Sequence, residues 1–239
     1  MGRIYQTGNF GFYSSRNDTS KTKLLVHSNT TDTSTTFTDS SSEGNTLTAT
    51  GNAQHSTTQK KWGTTGIKFN GAGDYVDTGT NGSALSPGTD DFTIDFWTYL
   101  TSGTEAGFFG KRNIDNDNYT SFHVLNTTAF YFKHKVSGSN IIDFSFLTTD
   151  FSLNAWHHIA LTRESNSMRL FVDGILQDTE TETGDIAFET VTGNLTIGET
   201  IDYQESQTRS TTGYIDEFRF VNGEAMWTSN FIPPIGPYR

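Results

Sequence analysis

The feature that most constrains the fold is the C-terminal stretch from Gly213 to Tyr238, GYIDEFRFVNGEAMWTSNFIPPIGPY. Its first part alternates apolar and polar side chains, the period-two pattern of a strand with one buried face. Three prolines follow, Pro233, Pro234 and Pro237. Proline lacks a backbone N–H group, so these residues prevent a further helix or ladder of hydrogen bonds. The chain therefore ends in a strand, which fixes Asp216 within a sheet, and then in an extended segment.

Period-two alternation recurs along most of the chain. The run Phe92–Leu100 alternates between apolar residues, which we expect in the core, and Asp95, Trp97 and Tyr99 on the opposite face. The dipeptide Asp173-Gly174 is typical of a two-residue hairpin turn. No stretch of a dozen residues keeps helical spacing. These patterns predict an all-β fold, a two-sheet antiparallel β-sandwich (jelly roll) with almost no helix.

Length and composition limit the partners. A chain of 239 residues with 13% aromatic residues can bury the core of one all-β domain. The net charge of −11 repels a phosphate backbone, so we expect no nucleic-acid partner. Cysteine is absent, which excludes disulfides and thiolate metal sites. The sequence contains neither an apolar run long enough for a bilayer nor a typical signal peptide, so we expect no membrane partner.

Residues 1–20 form a basic arm in an otherwise acidic chain. Its candidate anchoring residues are Arg3, Tyr5, Phe10, Phe12 and Arg16. Such an arm can bind an acidic partner or a neighbouring subunit. It can equally form an edge strand on its own sandwich, and the sequence leaves both possibilities open. The domain proper is predicted for residues 21–239.

A loop rich in Thr, Ser and Asp extends from Ser28 to Gly44. Its composition is that of a disordered segment. It contains Phe37, however, which we expect to hold the loop against the body of the domain.

Five stretches, taken in order, resemble the laminin-G-like domains found in bacteriophage proteins, within the concanavalin A-like lectin/glucanase superfamily. They are LLVHSNTTDTSTTFTDSS, NAQHSTTQKKWGTTGIKFNGAGDYV, DDFTIDFW, NAWHHIALTRESNSMRLFVDG and the C-terminal stretch quoted above. Together they cover about residues 21–239. The resemblance implies a jelly roll that serves in glycan binding, adhesion or assembly.

The resemblance further implies a non-enzymatic bacteriophage virion surface protein, such as a capsid decoration protein, a fibre or a tail appendage. Such a protein binds host-surface glycans, other virion proteins of the capsid or tail, and further copies of itself as a homo-oligomer. It is made in the host cytoplasm and carried on the virion surface; an extracellular fragment is the other interpretation. Two alternative functions stay open, a purely architectural virion subunit without sugar affinity and a glycan hydrolase.

Catalytic patterns are absent from the sequence. Retaining glucanases of the superfamily carry carboxylates that alternate on one strand, about 5 Å apart. Asp216 and Glu217 are adjacent and so face opposite ways, and residues 180–185 lack strand character. The pair His157-His158 also faces opposite sides and cannot jointly ligate a metal ion. We therefore predict no catalytic residues.

One structural calcium ion, Ca2+, is implied by the resemblance. Its candidate ligands are Asn29, Asp32, Asn70, Gly71, Asp74 and Asp216. Their oxygen atoms are the donors that calcium prefers. Asn70 stands where relatives commonly have Asp, which lowers the affinity. Asp32 and Asp74 can equally be turn residues that bond the backbone. A second acidic cluster, Asp115, Asp117 and Asn118, is a weaker candidate.

Aromatic side chains are the candidates for glycan binding, because sugar rings stack on aromatic faces while polar side chains bind the hydroxyl groups. The candidates are Trp97, Tyr99, Tyr119, Tyr131 and Tyr203. Each of them can instead be a core residue. Trp62 and Trp227 are expected to pack where segments of the chain cross.

Overall fold

The computed structural model describes residues 19–71, 73–79, 85–102, 105–112, 118–148, 151–181, 193–202 and 207–239. Within these ranges all regular secondary structure is β-strand. Accordingly, the described ranges hold no helix with the length and apolarity needed to cross a bilayer. The arm residues Arg3, Tyr5, Phe10, Phe12 and Arg16 lie outside the described residues.

The strands follow one another closely along the chain. In chain order they are β1 (Thr22–Val26), β2 (Thr48–Thr50), β3 (Gln54–Ser56), β4 (Gly66–Asn70), β5 (Tyr75–Asp77), β6 (Phe92–Leu100), β7 (Glu105–Arg112), β8 (Tyr119–Leu125), β9 (Ala129–Val136), β10 (Ser139–Leu147), β11 (His157–Glu164), β12 (Ser167–Val172), β13 (Ile175–Thr181), β14 (Leu195–Ile197), β15 (Glu199–Asp202), β16 (Gln207–Ser210) and β17 (Thr212–Asn222).

Two large antiparallel sheets form the sandwich. The first has the order β13-β12-β11-β6-β17-β4-β3, and β1 pairs with β17 beside this path. The second has the order β10-β9-β8-β7-β14-β5-β2. Sequence neighbours such as β8 and β9 form hairpins, whereas β17 pairs with β6 and β1 from distant parts of the chain. This confirms the predicted all-β jelly roll.

The core lies between the two sheets and is rich in phenylalanine. Phe96 of β6 contacts Phe218 of the same sheet at a ring-centroid distance of 5.6 Å and Phe108 of the opposite sheet at 5.2 Å. All three rings are fully buried. Burying each ring contributes about 1.5–3 kcal/mol to folding. The predicted core face of Phe92–Leu100 is confirmed, because its alternate apolar residues all belong to this cluster.

The turn between β12 and β13 is the predicted two-residue hairpin. Asp173 and Gly174 have φ angles of 51° and 77°, as a type I′ turn requires. Strand β13 continues to Thr181 and includes Glu180. The expectation that residues 180–185 lack strand character was therefore wrong for the first two of them, and the remaining four lie outside the described residues.

A short ribbon, β15 paired with β16, lies on the outer face of the second sheet. Glycine in β7 makes this contact possible: a Cβ atom at Gly107 would lie 2.1 Å from the carbonyl oxygen of Arg209. No sequence pattern indicated this ribbon.

The segment after β17 covers the face of the first sheet that points away from the core. Trp227 stacks on Phe231 at 4.0 Å, and both pack against Ala160 and Phe171. The prediction that Trp227 is a packing residue is confirmed. At its end the segment brings the Tyr238 hydroxyl within 2.6 Å of an Asp95 carboxylate oxygen.

Candidate functional site: a polar cleft at a gap in the first sheet

Strand β17 has a gap along one of its edges. Residues Thr212–Ile215 pair with β4, and Phe218–Val221 pair with β1. Between these two stretches the register shifts, and Glu217 has a φ of 54°, a left-handed conformation that is uncommon for a residue other than glycine. This bulge places Asp216 and Glu217 between the part of β17 that pairs with β4 and the part that pairs with β1.

Asp216 fastens the loop of residues 57–65 over the gap. Its Oδ2 atom accepts hydrogen bonds from the backbone N–H groups of Lys61 (2.9 Å) and Trp62 (3.1 Å). The carboxyl group is fully buried. Burial raises its pKa to about 7, although the N–H groups of Trp62 and Lys61 oppose that shift. The negative charge beside the gap therefore grows as the pH rises through 7.

Glu217 points to different partners from those of Asp216. Its two carboxylate oxygens lie 2.9 and 3.0 Å from Nδ1 of His27, the residue that follows β1. One of them also accepts the backbone N–H of Tyr238 at 2.7 Å. The hydrogen bond with Glu217 raises the pKa of His27, despite partial burial of the ring. Since Nδ1 is engaged by Glu217, the other ring nitrogen, Nε2, is left for a ligand.

The second histidine of the site, His55 in β3, is held at both ring nitrogens. Its Nε2–H donates to the Thr36 carbonyl at 3.0 Å, and Nδ1 lies 2.7 Å from the Ser28 hydroxyl. Burial lowers the pKa of His55, which favours the neutral ring. The ring of Phe37 packs on it at 4.3 Å. His55 is therefore a support for the loop that follows β1.

That loop forms one wall of the site through an extended stretch, residues 36–40. Phe37 and Asp39 point inward and are buried, whereas Thr36, Thr38 and Ser40 are exposed. Asp39 forms a bridge with Val26 and accepts the Leu25 N–H group at 2.9 Å. The Ser40 N–H donates to the Leu25 carbonyl at 2.7 Å. The expectation that Phe37 holds this loop to the domain is confirmed.

These residues border an open polar cleft of about 490 Å³. We define the hydroxyl wall as Thr36, Thr38 and Ser40; His27 and Glu217 line the same cleft. Asn29, Thr30, His55 and Tyr238 also line the cleft. Its volume lies within the range of small-molecule sites, and its lining is mainly hydroxyl, amide and imidazole groups. The cleft can bind a ligand with many hydroxyl groups.

The predicted calcium ligands fall into two sets. Asn29 and Asp32 accept hydrogen bonds from Thr64 (3.2 Å) and Thr57 (2.8 Å) in the same loop that Asp216 fastens. Asp74 instead accepts the N–H groups of Asn52 (2.7 Å) and Asn70 (2.8 Å), and the Gly71 carbonyl accepts the Asp74 N–H.

The register of the sheet separates these two sets. Asn70 lies opposite Thr212, four residues before Asp216 in β17, which corresponds to about 13 Å along a strand. The six candidate ligands therefore do not fit a single calcium site. In the described part of the chain, no group of three or more His, Cys, Asp or Glu side chains is arranged to hold a metal ion. Asp115 and Asp117 lie outside the described residues.

The predicted glycan-binding aromatics do not form one platform. Trp97 and Tyr99 lie in the first sheet, Tyr119 and Tyr131 lie in the second, and Tyr203 is outside the described residues. Trp97 is buried beneath Lys61, whose Nζ atom lies 3.6 Å from the ring centroid. Tyr119 is buried as well. Because their rings are covered, the prediction is corrected for these two residues.

Tyr99 and Tyr131 are half-buried, and each contacts another ring. Tyr99 lies 5.7 Å from Trp156, and Tyr131 stacks on His123 at 5.3 Å. Both remain candidates, although neither borders the cleft.

One cluster has the connectivity of a catalytic triad. The Ser152 hydroxyl lies 3.1 Å from Nε2 of His157, and Nδ1 of His157 lies 2.7 Å from Asp173. However, Nε2 also accepts the backbone N–H of Ser152 at 3.2 Å, so the lone pair that a general base needs is already bonded. Asp173 in addition accepts the His158 N–H group at 2.8 Å, which anchors the β12–β13 turn. The geometry is that of a structural support. His157 is itself buried; the sequence did not predict this cluster.

The sequence did not predict the principal residues of the cleft. Thr36, Thr38 and Ser40 carried a signal, since they alternate with the buried Phe37 and Asp39 in a loop otherwise uniform in composition. No sequence pattern indicated His27 and Glu217, because these residues meet only through the pairing of β1 with β17 and the bulge in β17.

The two stacked antiparallel sheets define a jelly-roll β-sandwich with a lectin-like fold. A laminin G family model, described as "Concanavalin A-like lectin/glucanases superfamily", matches residues 70–227. That match covers more than half of the chain, so the chain belongs to the concanavalin A-like lectin/glucanases superfamily. No curated protein matches the chain.

Solved structures of binding domains share the fold. The binding domain of Paraclostridial Mosquitocidal Protein 1 matches with a TM-score of 0.64 and 15% identity. The match covers 87% of this chain but only 50% of that chain, so this chain spans about half the length of that structure. Domain 4 of AbnA, a GH43 extracellular arabinanase from Geobacillus stearothermophilus, in complex with arabinotriose, matches with a TM-score of 0.61 and 16% identity over 86% of this chain and 94% of that one.

A third similar structure is the CBM40 domain of the Ruminococcus gnavus IT-sialidase bound to alpha2,3 sialyllactose. It matches with a TM-score of 0.54 and 14% identity over 68% of this chain and 91% of that one. At these identities the likeness shows the shared fold.

Proposed function

We propose that this protein is a non-enzymatic glycan-binding module whose binding site is the polar cleft. The observation that carries the proposal is the cleft itself, a volume of about 490 Å³ lined by polar groups that buried contacts hold in place. A site that is rigid before binding loses little entropy when a ligand enters. Membership of the concanavalin A-like lectin/glucanases superfamily supports glycan recognition, as do two similar domains solved in complex with arabinotriose and sialyllactose.

The finer part of the proposal concerns where the module acts. From the resemblance to phage laminin-G-like domains, we place it on a bacteriophage virion surface, bound to capsid or tail proteins and to further copies of itself. Mass spectrometry of purified phage particles tests this placement, and absence of the protein from the particles contradicts it. This outcome is independent of whether the cleft binds sugar.

A purely architectural role is the second candidate. Ile232 and Ile235 lie three positions apart in the segment after β17 and are 65% and 86% exposed, so this segment is the one where we would look for contact with another protein. A module that is incorporated into particles but binds no glycan has this role.

Filling the cleft is expected to abolish glycan binding. Thr38 is exposed on the hydroxyl wall, so Thr38→Tyr places a ring in the cleft without disturbing the core. We expect affinity for a bound glycan to fall at least about 10-fold through steric exclusion. Glycan-array screening followed by titration calorimetry measures this effect.

Thr35→Tyr is the matched control, because Thr35 is also exposed in the same loop but does not line the cleft. Equal binding by Thr38→Tyr and the wild type would show that glycans bind elsewhere. Failure of the wild type to bind any glycan contradicts the proposal as a whole.

Calcium remains a proposal at the first of the two ligand sets, Asn29 and Asp32 beside the loop held by Asp216. An ion that binds only the folded protein raises the melting temperature. We expect thermal unfolding in calcium to occur above that in chelator. Equal melting temperatures contradict calcium binding.

A further inference from the structure

The hydroxyl wall is a linear array. Its members alternate along an extended stretch, so neighbouring hydroxyl groups are about 6.6 Å apart and the three together span about 13 Å. The stretch is fixed on its inner side by the Val26–Asp39 bridge and by the contact of Phe37 with His55. The array is therefore longer than one sugar ring and rigid before a ligand arrives.

Besides the hydroxyl wall, the cleft offers one directed group. Nδ1 of His27 is bound to both oxygens of Glu217, which fixes the ring and leaves Nε2 for a ligand. His55 cannot play this role, since the Thr36 carbonyl and the Ser28 hydroxyl engage its two nitrogens. A hydroxyl-rich ligand in the cleft can thus bond both the wall and His27.

The charges beside the cleft oppose an acidic ligand. Glu217 and Asp216 are both buried there, and the charge of His27 is already compensated by Glu217. Arg219, the nearest cation of β17, is engaged by Asp95 through two hydrogen bonds of 2.9 and 3.0 Å. Above pH 7 and above the raised pKa of His27, Asp216 is ionised and His27 is neutral, so a carboxylate on the ligand would then lie beside like charges and would no longer meet a cation at His27.

We propose that the cleft binds a linear, neutral oligosaccharide lengthwise, along the hydroxyl wall and with a hydrogen bond to Nε2 of His27. This inference rests on the proposed function and adds the class of glycan, its length and its orientation. A single sugar unit makes only part of these contacts. Uronic or sialic acids are disfavoured by the two buried carboxylates.

The experiment uses the full chain and two series of probes. The first consists of malto-, cello-, xylo-, arabino- and chito-oligosaccharides of one to six units. The second consists of oligogalacturonates of the same lengths together with sialyllactose. Binding is measured for the wild type, for Thr36→Val, Thr38→Val and Ser40→Ala singly and together, and for the control Thr35→Val. Circular dichroism and thermal unfolding confirm that each variant is folded.

We expect affinity for at least one neutral series to rise with length and to level off once the chain spans the wall. Removal of each wall hydroxyl should weaken binding about 3-fold to 10-fold, and the combined variant should lose more. At a pH above the pKa of both His27 and Asp216, the acidic probes should bind at least about 10-fold more weakly than the neutral ones. Thr35→Val should bind like the wild type.

The pH profile tests the role of His27. The titratable groups around it are Glu217 and Asp216 of β17, His55 of β3 and Tyr238 of the C-terminal segment. The Glu217 carboxylate holds the proton on Nδ1, so deprotonation of His27 turns Nε2 from a charged donor into a neutral acceptor. A charge-assisted hydrogen bond is the stronger of the two, so wild-type binding of a neutral probe should weaken as the pH rises through the raised pKa of His27. In His27→Gln the amide replaces that donor without titrating, and this dependence should disappear.

The outcomes separate this inference from the proposed function. Equal affinity for one unit and for long chains, equal affinity for acidic and neutral probes, or unchanged binding by the combined wall variant would each overturn the inference. If Thr38→Tyr still abolishes binding in those cases, the cleft remains the glycan site. If the wild type binds no probe and no array glycan, the proposed function itself fails.

Discussion

Replacing Asp95 by alanine is expected to lower the free energy of unfolding by about 3–5 kcal/mol, because it leaves a buried cation without its partner. Asp95 is fully buried and accepts two hydrogen bonds from Arg219, one from the Tyr238 hydroxyl and a contact from His158 at 3.3 Å. The network joins β6, β11 and β17 to the end of the chain. Urea unfolding of the wild type and of Asp95→Ala measures the difference.

The difference in unfolding free energy between the wild type and Asp95→Ala is expected to shrink at acidic pH. Burial opposes ionisation of Asp95, but the charge of Arg219 and the hydrogen bonds with His158 and Arg219 together outweigh it and lower the pKa from 3.8 to about 2. A carboxyl group with a lowered pKa stabilises the fold above its unfolded-state pKa and loses that contribution as the pH falls through its folded-state pKa. The wild type should therefore approach Asp95→Ala in stability between pH 4 and pH 2.

Two further variants distinguish the network from a general effect of losing a charge. Asp143→Ala removes a half-exposed carboxylate 3.9 Å from Lys133 and should cost at most about 1 kcal/mol. The double variant Asp95→Leu with Arg219→Met removes both charges and should be less destabilised than Asp95→Ala. A cost for Asp95→Ala as small as that for Asp143→Ala would contradict the assigned role of the network.

The sequence predicted what local pattern determines. The core face of Phe92–Leu100 followed from period two alone, and the β12–β13 turn followed from the residues Asp173-Gly174. Both features depend on residues that are adjacent in sequence, so they could be predicted without knowing how the rest of the chain folds. The superfamily could likewise be inferred from the order of five stretches before any contact was known.

The cleft could not be predicted in the same way, because it depends on long-range pairing. Reading Gly213–Val221 as an unbroken strand places Asp216 and Glu217 on opposite faces and predicts nothing further about them. In the structure, a bulge turns Glu217 toward His27, 190 positions away in the chain. Bulges, and changes of pairing partner along one strand, depend on the whole sheet rather than on local composition.

For the aromatic residue Trp97, the sequence predicted the correct face of the sheet but not that this face is covered. Trp97 was correctly assigned to the face of β6 away from the core, but that face is not open to solvent. The loop that Asp216 holds brings Lys61 over the ring, and the segment after β17 covers the neighbouring strands. Period two therefore predicts which face a side chain takes, whereas the path of distant loops decides whether that face is exposed.

The contact between Gly198 and the core gives the second large expected effect. Gly198 has a φ of 95°, and a Cβ atom there would lie 2.4 Å from the buried Phe69 ring. Phe69 is enclosed in the core, so the ring has no room to retreat. The backbone of Gly198 is also held, because it donates to the Phe108 carbonyl and accepts from Thr211, both at 2.8 Å. Gly198→Ala should therefore cost about 2–5 kcal/mol, the sum of backbone strain and overpacking.

Gly44→Ala separates these two contributions. Gly44 has a φ of 60°, and a Cβ atom there meets nothing within 4 Å, so its substitution reports backbone strain alone, about 1–2 kcal/mol. Urea unfolding of the two variants gives the steric part of the Gly198 effect by subtraction. Since Phe69 lies in β4, which pairs with the strand that carries His55 of the cleft, displacement of that ring should also weaken glycan binding in Gly198→Ala but not in Gly44→Ala. Equal stability of the two variants would mean that the core yields to the added methyl group and that β4 is not rigidly placed.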